Sequence, residues 1–525
     1  MAPFNKAEVS QMRKQRWLIR AMWLTVPYSQ VDALEYDALQ VLSLVRSIKN
    51  TFAPINRTPP EVLSLIPDCL EDYNKDRNLI TLTHICRSWR KIFVSRPSLW
   101  AKLNFKNVDK TRVYIERSRS APLGISLSSF HEGEALLLAI PHIHRLKTLW
   151  VSGNPVQVLP VLAGHFFRPF PLLDKLKICF QSDQAPTLPD GLFNGDLSSL
   201  RELAVTGVIT ALPWRDLSNL TTFKLHDAPE YRILLTQLLD FFESAPYLCH
   251  IELHDSFLSS PDAPTERVVP LPHLKDLSII TDRPHSNLLN HLSTPAGASL
   301  FLEFRLNSED PPIPSYVPES SGSLHNLSHI TAVNLCFDSD NMAIQFSGPS
   351  GKLRVFWEWK PKEEQPNVGT SLIIQFLSKL DILRTRWLVI TRCRYWLYDP
   401  AQTAKSTLYQ ILHRMEDLRT LIPIGCGDLP FIHTLNPDKN LSKIALCPRL
   451  EEIVFYIDRQ DPLHVDELVD MTKERALRGA KLPAITVVSV DAVAPKQHVF
   501  WLKKHVSRVG YKFDGVDPAW DALLS

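Results

Sequence analysis

Apolar positions along this chain follow two periods, and the change between them divides it. Beyond residue 140 one pattern recurs, Leu-x-x-Leu-x-Leu with apolar replacements. Its copies are Leu146-Leu149-Val151, Leu173-Leu176-Ile178, Leu200-Leu203-Val205, Leu220-Phe223-Leu225, Leu248-Ile251-Leu253 and Leu274-Leu277-Ile279. Successive copies start 27, 27, 20, 28 and 26 residues apart, a spacing that suits one strand and its connection in a stacked array. The last two apolar positions of each copy have the period of two of a strand that buries one face. The Leu three positions earlier turns the chain inward beneath it. Later copies are Ile330-Val333-Leu335 and Leu450-Ile453-Phe455, with weaker traces at Leu388-Ile390 and Leu418-Leu421. Between strands, residues 232–246, RILLTQLLDFFESAP, have helical spacing and predict part of an outer layer. Stacked units share one core, so none is expected to be stable alone.

Ahead of the array the period is helical. In residues 56–103, Pro59 and Pro60 suit the first turn of a helix, where a missing amide costs nothing. Val62, Leu63 and Ile66 then form a short apolar stripe that Pro67 stops. After the link EDYNKDRN a second stripe runs through Leu79, Leu82, Ile85 and Cys86 and continues at helical spacing to Trp89, Ile92 and Phe93. Arg96-Pro97 breaks it, and Leu99 and Trp100 return as an apolar pair. A further helix is expected over residues 30–50, with Val31, Leu34, Leu39, Leu42 and Val45 packing back on this region. So small a module hides only part of its apolar surface and is marginal alone, which implies a partner.

Composition narrows the function classes. The 525 residues suggest two or more domains. With 58 basic and 56 acidic residues the net charge is +2, which offers no field for nucleic acid or a membrane surface. Eight cysteines, at 69, 86, 179, 249, 336, 393, 426 and 447, contain no CxxC pair and read as reduced core thiols. No run approaches the roughly 18 apolar residues of a membrane span, and the basic N-terminus with its short AMWLTVP run makes a poor signal peptide. The expected compartment is cytoplasmic, nuclear or both.

Catalytic motifs are weak. GPSGKL at 348–353 has Phe346 where a phosphate loop needs Gly and Leu353 where it needs Ser or Thr, so a turn is expected. Ser350 lies one residue short of a nucleophile elbow. His131-Glu132 lacks a second His, and His142 and His144 have no Cys or acidic companion, so no metal site is expected. No cofactor is expected either. Asn56, Asn219, Asn326 and Asn440 head glycosylation sequons.

The helical segment resembles an F-box. The carrying residues are Pro-x-Glu-Val-Leu-x-x-Ile at 59–66, Leu82 to Arg90 with Ile-Cys-Arg-x-Trp-Arg, and Pro-x-Leu-Trp at 97–100, in the divergent form abundant in mushroom-forming fungi. That family docks on the Skp adaptor of a cullin-RING ubiquitin ligase, and the rest of the chain holds a protein substrate. By position, the resemblance implies that Pro59, Pro60, Leu63, Ile66, Leu82, Ile85, Cys86, Trp89, Leu99 and Trp100 form the F-box core or its adaptor surface. Thr58 stands where the family usually has Leu, and the link from Ile66 to Leu79 is longer than usual. These departures suit a second expectation, a leucine-rich-repeat scaffold with a degenerate F-box. A third, from the enzyme class, requires a convergent acid, base and nucleophile.

The expected architecture is α/β, or α+β over the whole chain. A leader and helix occupy 1–52, an F-box 53–118, an irregular leucine-rich-repeat solenoid 119–495 with a loop near 308–323, and a capping helix and tail 496–525. Strand residues that point away from the core then line a concave face in three ladders. These read Thr148, Lys175, Glu202, Thr222, His250, Asp276; Trp150, Lys177, Ala204, Lys224, Glu252, Ser278; and Ser152, Cys179, Thr206, His226, His254, Ile280. Trp150, Lys177, Glu202, Lys224, His250, Glu252 and Asp276 are the candidate substrate contacts. The chain is expected to act as one copy within a hetero-complex.

Overall fold

The computed structural model describes residues 28–70, 75–128, 133–180, 186–188, 192–195, 197–208, 217–226, 233–255, 257–258, 267–281, 288–306, 324–337, 341–359, 373–374, 376–378, 380–391, 406–440, 444–457, 463–489, 502–503 and 506–513, with Lys14 and Arg16. It is a mixed helix and strand protein with a large sheet. Two compact units are present, residues 1–103 with 107–123, and residues 104–106 with 124–525. The expected loop at 308–323 and most of the basic leader lie outside the described residues.

The smaller unit is helical: α1 (Tyr28–Thr51), α2 (Pro60–Leu63), α3 (Lys75–Ile85), α4 (Arg87–Val94) and α5 (Val108–Ser118). Short 3-10 turns at Ile66–Cys69 and Pro97–Trp100 join them. The single helix expected through Cys86 is two. Cys86 is extended (φ −158°, ψ 171°) and starts α4. A straight helix would carry Phe93 about 21 Å along its axis from Leu79. The break instead folds Trp89 and Phe93 back to meet Leu63, with Ile66, Leu82, Cys86, Ile92 and Leu99 packed around them. Within the expected link, α3 already begins at Lys75. Arg96 fastens the end of α4, donating to the Ser64 carbonyl and pairing with Asp68 at 2.9 Å. Asn107 caps α5 by accepting from the Lys110 amide at 2.8 Å.

Helix α1 differs from expectation in packing. Leu34, Leu39, Leu42 and Val45 are exposed. Leu34, Val41, Val45 and Ile48 recur at intervals of 7, 4 and 3 and form an open stripe along it.

In the larger unit, each of the six motif copies ends in a strand: β1 (Leu146–Gly153), β2 (Lys175–Phe180), β3 (Glu202–Thr206), β4 (Thr222–His226), β5 (His250–His254) and β6 (Asp276–Thr281). These pair in parallel and in sequence order without stagger, so Leu149, Leu176, Leu203, Phe223, Ile251 and Leu277 stand side by side. All six are buried, as are Val151, Ile178, Val205, Leu225, Leu253 and Ile279 one step along. Helix α6 (Leu235–Ser244) buries Leu238, Leu239 and Phe242, and its Phe241 meets Phe223 of this layer at 4.6 Å.

Past β6 the order changes. Strand β7 (Ser299–Leu306) follows β6 in parallel, but β8 (Ala332–Phe337), β9 (Asn341–Gly348) and β10 (Gly351–Trp359) form an antiparallel meander. β10 rather than β8 lies beside β7, and β8 lies beside β11 (Trp387–Thr391). The GPSGKL segment is the hairpin turn of this meander, with Gly348 opposite Gly351. At Gly348 an added Cβ would lie 1.9 Å from the His329 carbonyl, so no side chain fits there.

The parallel order resumes through β11, β12 (Thr420–Ile424), β13 (Glu452–Ile457), β14 (Ala484–Ser489) and β15 (Arg508–Phe513). The end of the expected C-terminal helix is corrected here, while residues 495–501, 504 and 505 of it lie outside the described residues. Residues 508–510 belong to β15, which pairs with β14, while Leu502 and Val506 are buried. Val509 and Tyr511 have the period-two pattern of a strand, and the helical reading of 495–510 took in Val509. Helix α7 (Val465–Leu477) packs against the short helix at Leu429–Leu435 and buries Leu468 and Met471. Its Arg475, 0% exposed, donates to the carbonyls of Leu446 at 2.7 Å and Cys447 at 2.9 Å.

Candidate interaction surfaces

The F-box-like residues divide by burial. Leu63, Trp89 and Trp100 are core; Ile66, Leu82, Cys86 and Leu99 are half-buried around it; Pro59, Pro60 and Ile85 are exposed. Trp89 Nε1 donates to Asn56 Oδ1 at 2.6 Å, and its ring meets Phe93 edge-on at 5.6 Å. Trp100 Nε1 donates to the Phe93 carbonyl at 2.9 Å, Tyr114 abuts its ring edge-on, and Arg117 lies over it at 4.4 Å. Burial pushes the Tyr114 hydroxyl well above its ordinary value, and the Asp76 carboxylate beside it adds to the shift.

The side chains available to a partner are different ones. Val62 and Leu65, about half exposed, flank the buried Leu63, and Ile85 stands exposed at the end of α3. Leu65 has no place in the stripe read from sequence, because its turn is split between α2 and the 3-10 segment. Leu39 and Leu42 of α1, with Ile85, Cys86 and Arg87, line a groove of about 370 Å³. It joins apolar walls to a basic rim of Arg46 and Arg87.

On the larger unit, all seven candidate contacts lie on the sheet face opposite the core. The parallel register pairs them across strands: Trp150 with Lys177, Lys224 with Glu252, and His250 with Asp276. Lys177 Nζ lies 5.3 Å from the Trp150 ring centre, within reach of a cation–π contact, and Trp150 is about half exposed. Lys175 reaches Glu202 at 2.5 Å, and His250 Nδ1 reaches Asp276 at 2.8 Å. Charge on this face is consumed largely in cross-strand pairs, beside which Trp150 stands as an exposed large aromatic.

Two residues of the third ladder join this network. His226 and His254 stack with centroids 3.9 Å apart and planes 6° from parallel. Both present Nε2 to Glu252 Oε1, at 3.1 and 3.2 Å, while Lys224 holds Oε2 at 2.5 Å. Their meeting follows from register: residues 28 apart in sequence stand opposite one another on β4 and β5.

Burial alone would raise the Glu252 carboxyl, but the Lys224 hydrogen bond and the neighbouring Lys224, His226 and His254 charges bring it below its ordinary value. A depressed carboxyl stabilises the fold when ionised, above its unfolded value of about 4.3, and loses that contribution as pH falls through its folded value. Glu252→Gln is therefore expected to lower stability at pH 7. The gap to the native chain should close as pH drops below about 4. Paired denaturant titrations at the two pH values check this.

Two of the four sequon asparagines have structural roles in place of acceptor roles. Asn326 and Asn440 are buried. Asn326 accepts from Thr294 Oγ1 at 2.8 Å, and Asn440 donates to the Thr434 and Ile444 carbonyls at 3.1 Å each. No helix among the described residues is long and apolar enough to cross a membrane. No family model matches the sequence, and no curated protein matches it.

Proposed function

We propose that this chain is a substrate receptor of a Skp-cullin-F-box ubiquitin ligase. In this reading the small helical unit is a divergent F-box that docks the adaptor, and the larger unit is an irregular leucine-rich-repeat solenoid that holds a protein target. One observation carries the reading. The two sequence segments that resemble the family, at 59–66 and 82–100, come together around Leu63, Trp89 and Phe93, while Val62, Leu65 and Ile85 stay outside that core. A unit with so few core side chains and that much apolar surface suits a partner that covers it. The unstaggered strands β1 to β6 support the repeat reading, since they set the candidate contacts in two adjacent ladders, Trp150, Lys177, Lys224 and Glu252 in one and Glu202, His250 and Asp276 in the other.

The chain then catalyses nothing itself. It raises the target's effective concentration near the ligase's transfer centre, and neither a cofactor nor nucleic acid enters the process. The test is capture of the full chain by an immobilised, properly folded Skp-type adaptor from the same host. Stoichiometric retention supports the receptor. Absence of retention points to the scaffold reading, in which the helical unit serves the fold and the repeats alone bind.

A further inference from the structure

We propose that His226, Glu252 and His254 form a site for one divalent transition-metal ion of the zinc type on the open face of the sheet. Nothing in the ubiquitin-ligase reading requires it, and it stands or falls separately.

The argument begins with donor chemistry. Among the described residues, these three place a ligand atom each within 4.8 Å of the other two. Two imidazoles and one carboxylate are the donor set of many zinc sites with an open position, and the same set suits copper and nickel. At zinc-ligand bonds of about 2.0–2.1 Å, two donors on a tetrahedron stand roughly 3.3 Å apart. Oε1 of Glu252 lies 3.1 Å from Nε2 of His226 and 3.2 Å from Nε2 of His254. The spacing already present is thus close to the edge of a coordination tetrahedron.

The scaffold makes the cluster rigid. His226 and His254 are register partners on adjacent parallel strands, and Glu252 is two residues from His254 on the same face. Lys224 occupies the other carboxylate oxygen at 2.5 Å, which fixes the rotation of the carboxylate and turns Oε1 to the histidines. Such an outer partner is the usual means of orienting a ligating group. All three side chains are half-buried, between 22% and 27% exposed, so an ion would be partly shielded yet reachable from solvent.

Binding asks two things of the rings. Each neutral imidazole must carry its one proton on Nδ1, so that Nε2 offers a lone pair. Each must also tilt out of the parallel stack so that the lone pairs converge. A fourth position then faces solvent and takes water or a donor group from a protein bound on this face.

The experiment is titration of the metal-free full chain with Co2+, read by visible d–d absorption, and with Zn2+, read by calorimetry. One equivalent is expected to bind. His226→Ala, His254→Ala and Glu252→Gln should each weaken binding by about tenfold or more, in line with the cost of disturbing metal-site groups. His273→Ala, an exposed histidine stacked on Tyr247 and outside the cluster, should leave it unchanged. Zn2+ should raise the melting temperature of the native chain and of His273→Ala but not of the variant carrying all three substitutions. Because the native titration involves no substitution, poor folding of a variant cannot mask the outcome. Absence of binding by the native chain, or binding that survives in the folded triple variant, overturns the site.

Discussion

Trp100→Ala is expected to unfold the small helical unit at denaturant concentrations that leave the larger unit intact. The indole is 1% exposed, and three contacts end together when it is truncated. These are the hydrogen bond to the Phe93 carbonyl, the edge-on contact with Tyr114 and the Arg117 guanidinium above the ring. A buried Trp replaced by Ala costs about 3–5 kcal/mol, and whole domains have only about 5–15 kcal/mol to lose. A module this small has less to spare. Trp100→Phe retains most of the packing and gives up mainly the indole hydrogen bond, a net loss of about 1 kcal/mol. Far-ultraviolet circular dichroism across a urea titration distinguishes them: an early helical transition in the Ala variant, and a nearly native curve in the Phe variant.

The second large effect is expected at Arg475. Its guanidinium lies within the larger unit and serves two carbonyls of one chain reversal, those of Leu446 and Cys447. Cys447 itself has φ +48°, a left-handed conformation that a non-glycine residue keeps only where its surroundings hold it. Burial lowers the Arg475 pKa, yet that of an arginine starts high enough for the group to remain charged. Arg475→Ala takes the guanidinium donor from both carbonyls, leaving Cys447 only the Leu450 amide at 3.1 Å, at about 1–3 kcal/mol for a buried acceptor left unpaired, and opens a cavity. Relief of the arginine's own desolvation offsets part of this, so the net loss expected is about 3–5 kcal/mol. Arg475→Lys recovers little, because one ammonium on a flexible stem cannot replace the planar fork. The denaturation midpoint of the larger unit and faster amide exchange across α7 check it.

Local period explains what was legible in the sequence. Strands β1 to β6 were, because each copy buries alternate residues, and β2 to β6 each begin two residues into the motif while β1 begins at its first Leu. Thr385, Leu482 and Val506 precede Leu388-Ile390, Ile485-Val487 and Val509-Tyr511 at the same offset of three. Replacement of Leu by Thr weakened the first, and a helical reading absorbed the last. The meander was not legible, since whether β8 or β10 lies beside β7 depends on pairing across some fifty residues, which no local spacing encodes. The break at Cys86 was hidden for a different reason. Trp89, Ile92 and Phe93 keep helical spacing from Leu82 whether or not one residue between them is extended.

The candidate contacts on the sheet were legible as ladders once the register was assumed, and the cluster of His226, His254 and Glu252 could be read from two adjacent ladders taken together. The exposed side chains of the helical unit were less so. Leu65 sits between two short turns, and core residues such as Leu63 and Trp89 have the same sequence signature as surface anchors. Arg475 reads in sequence as a solvated helix residue, and only the fold brings the Leu446 and Cys447 carbonyls to it.

The most direct measurement is the affinity of the full chain for the host's Skp-type adaptor, with the native chain compared with a Val62→Asp/Leu65→Asp variant. Both positions are exposed, so the variant should retain native circular dichroism and the same denaturation midpoint. The account predicts tight binding by the native chain and a loss of at least a hundredfold in the folded variant, as expected when anchors at the centre of an interface are replaced by charge. Binding that is absent in the native chain, or indifferent to the substitution, would contradict it.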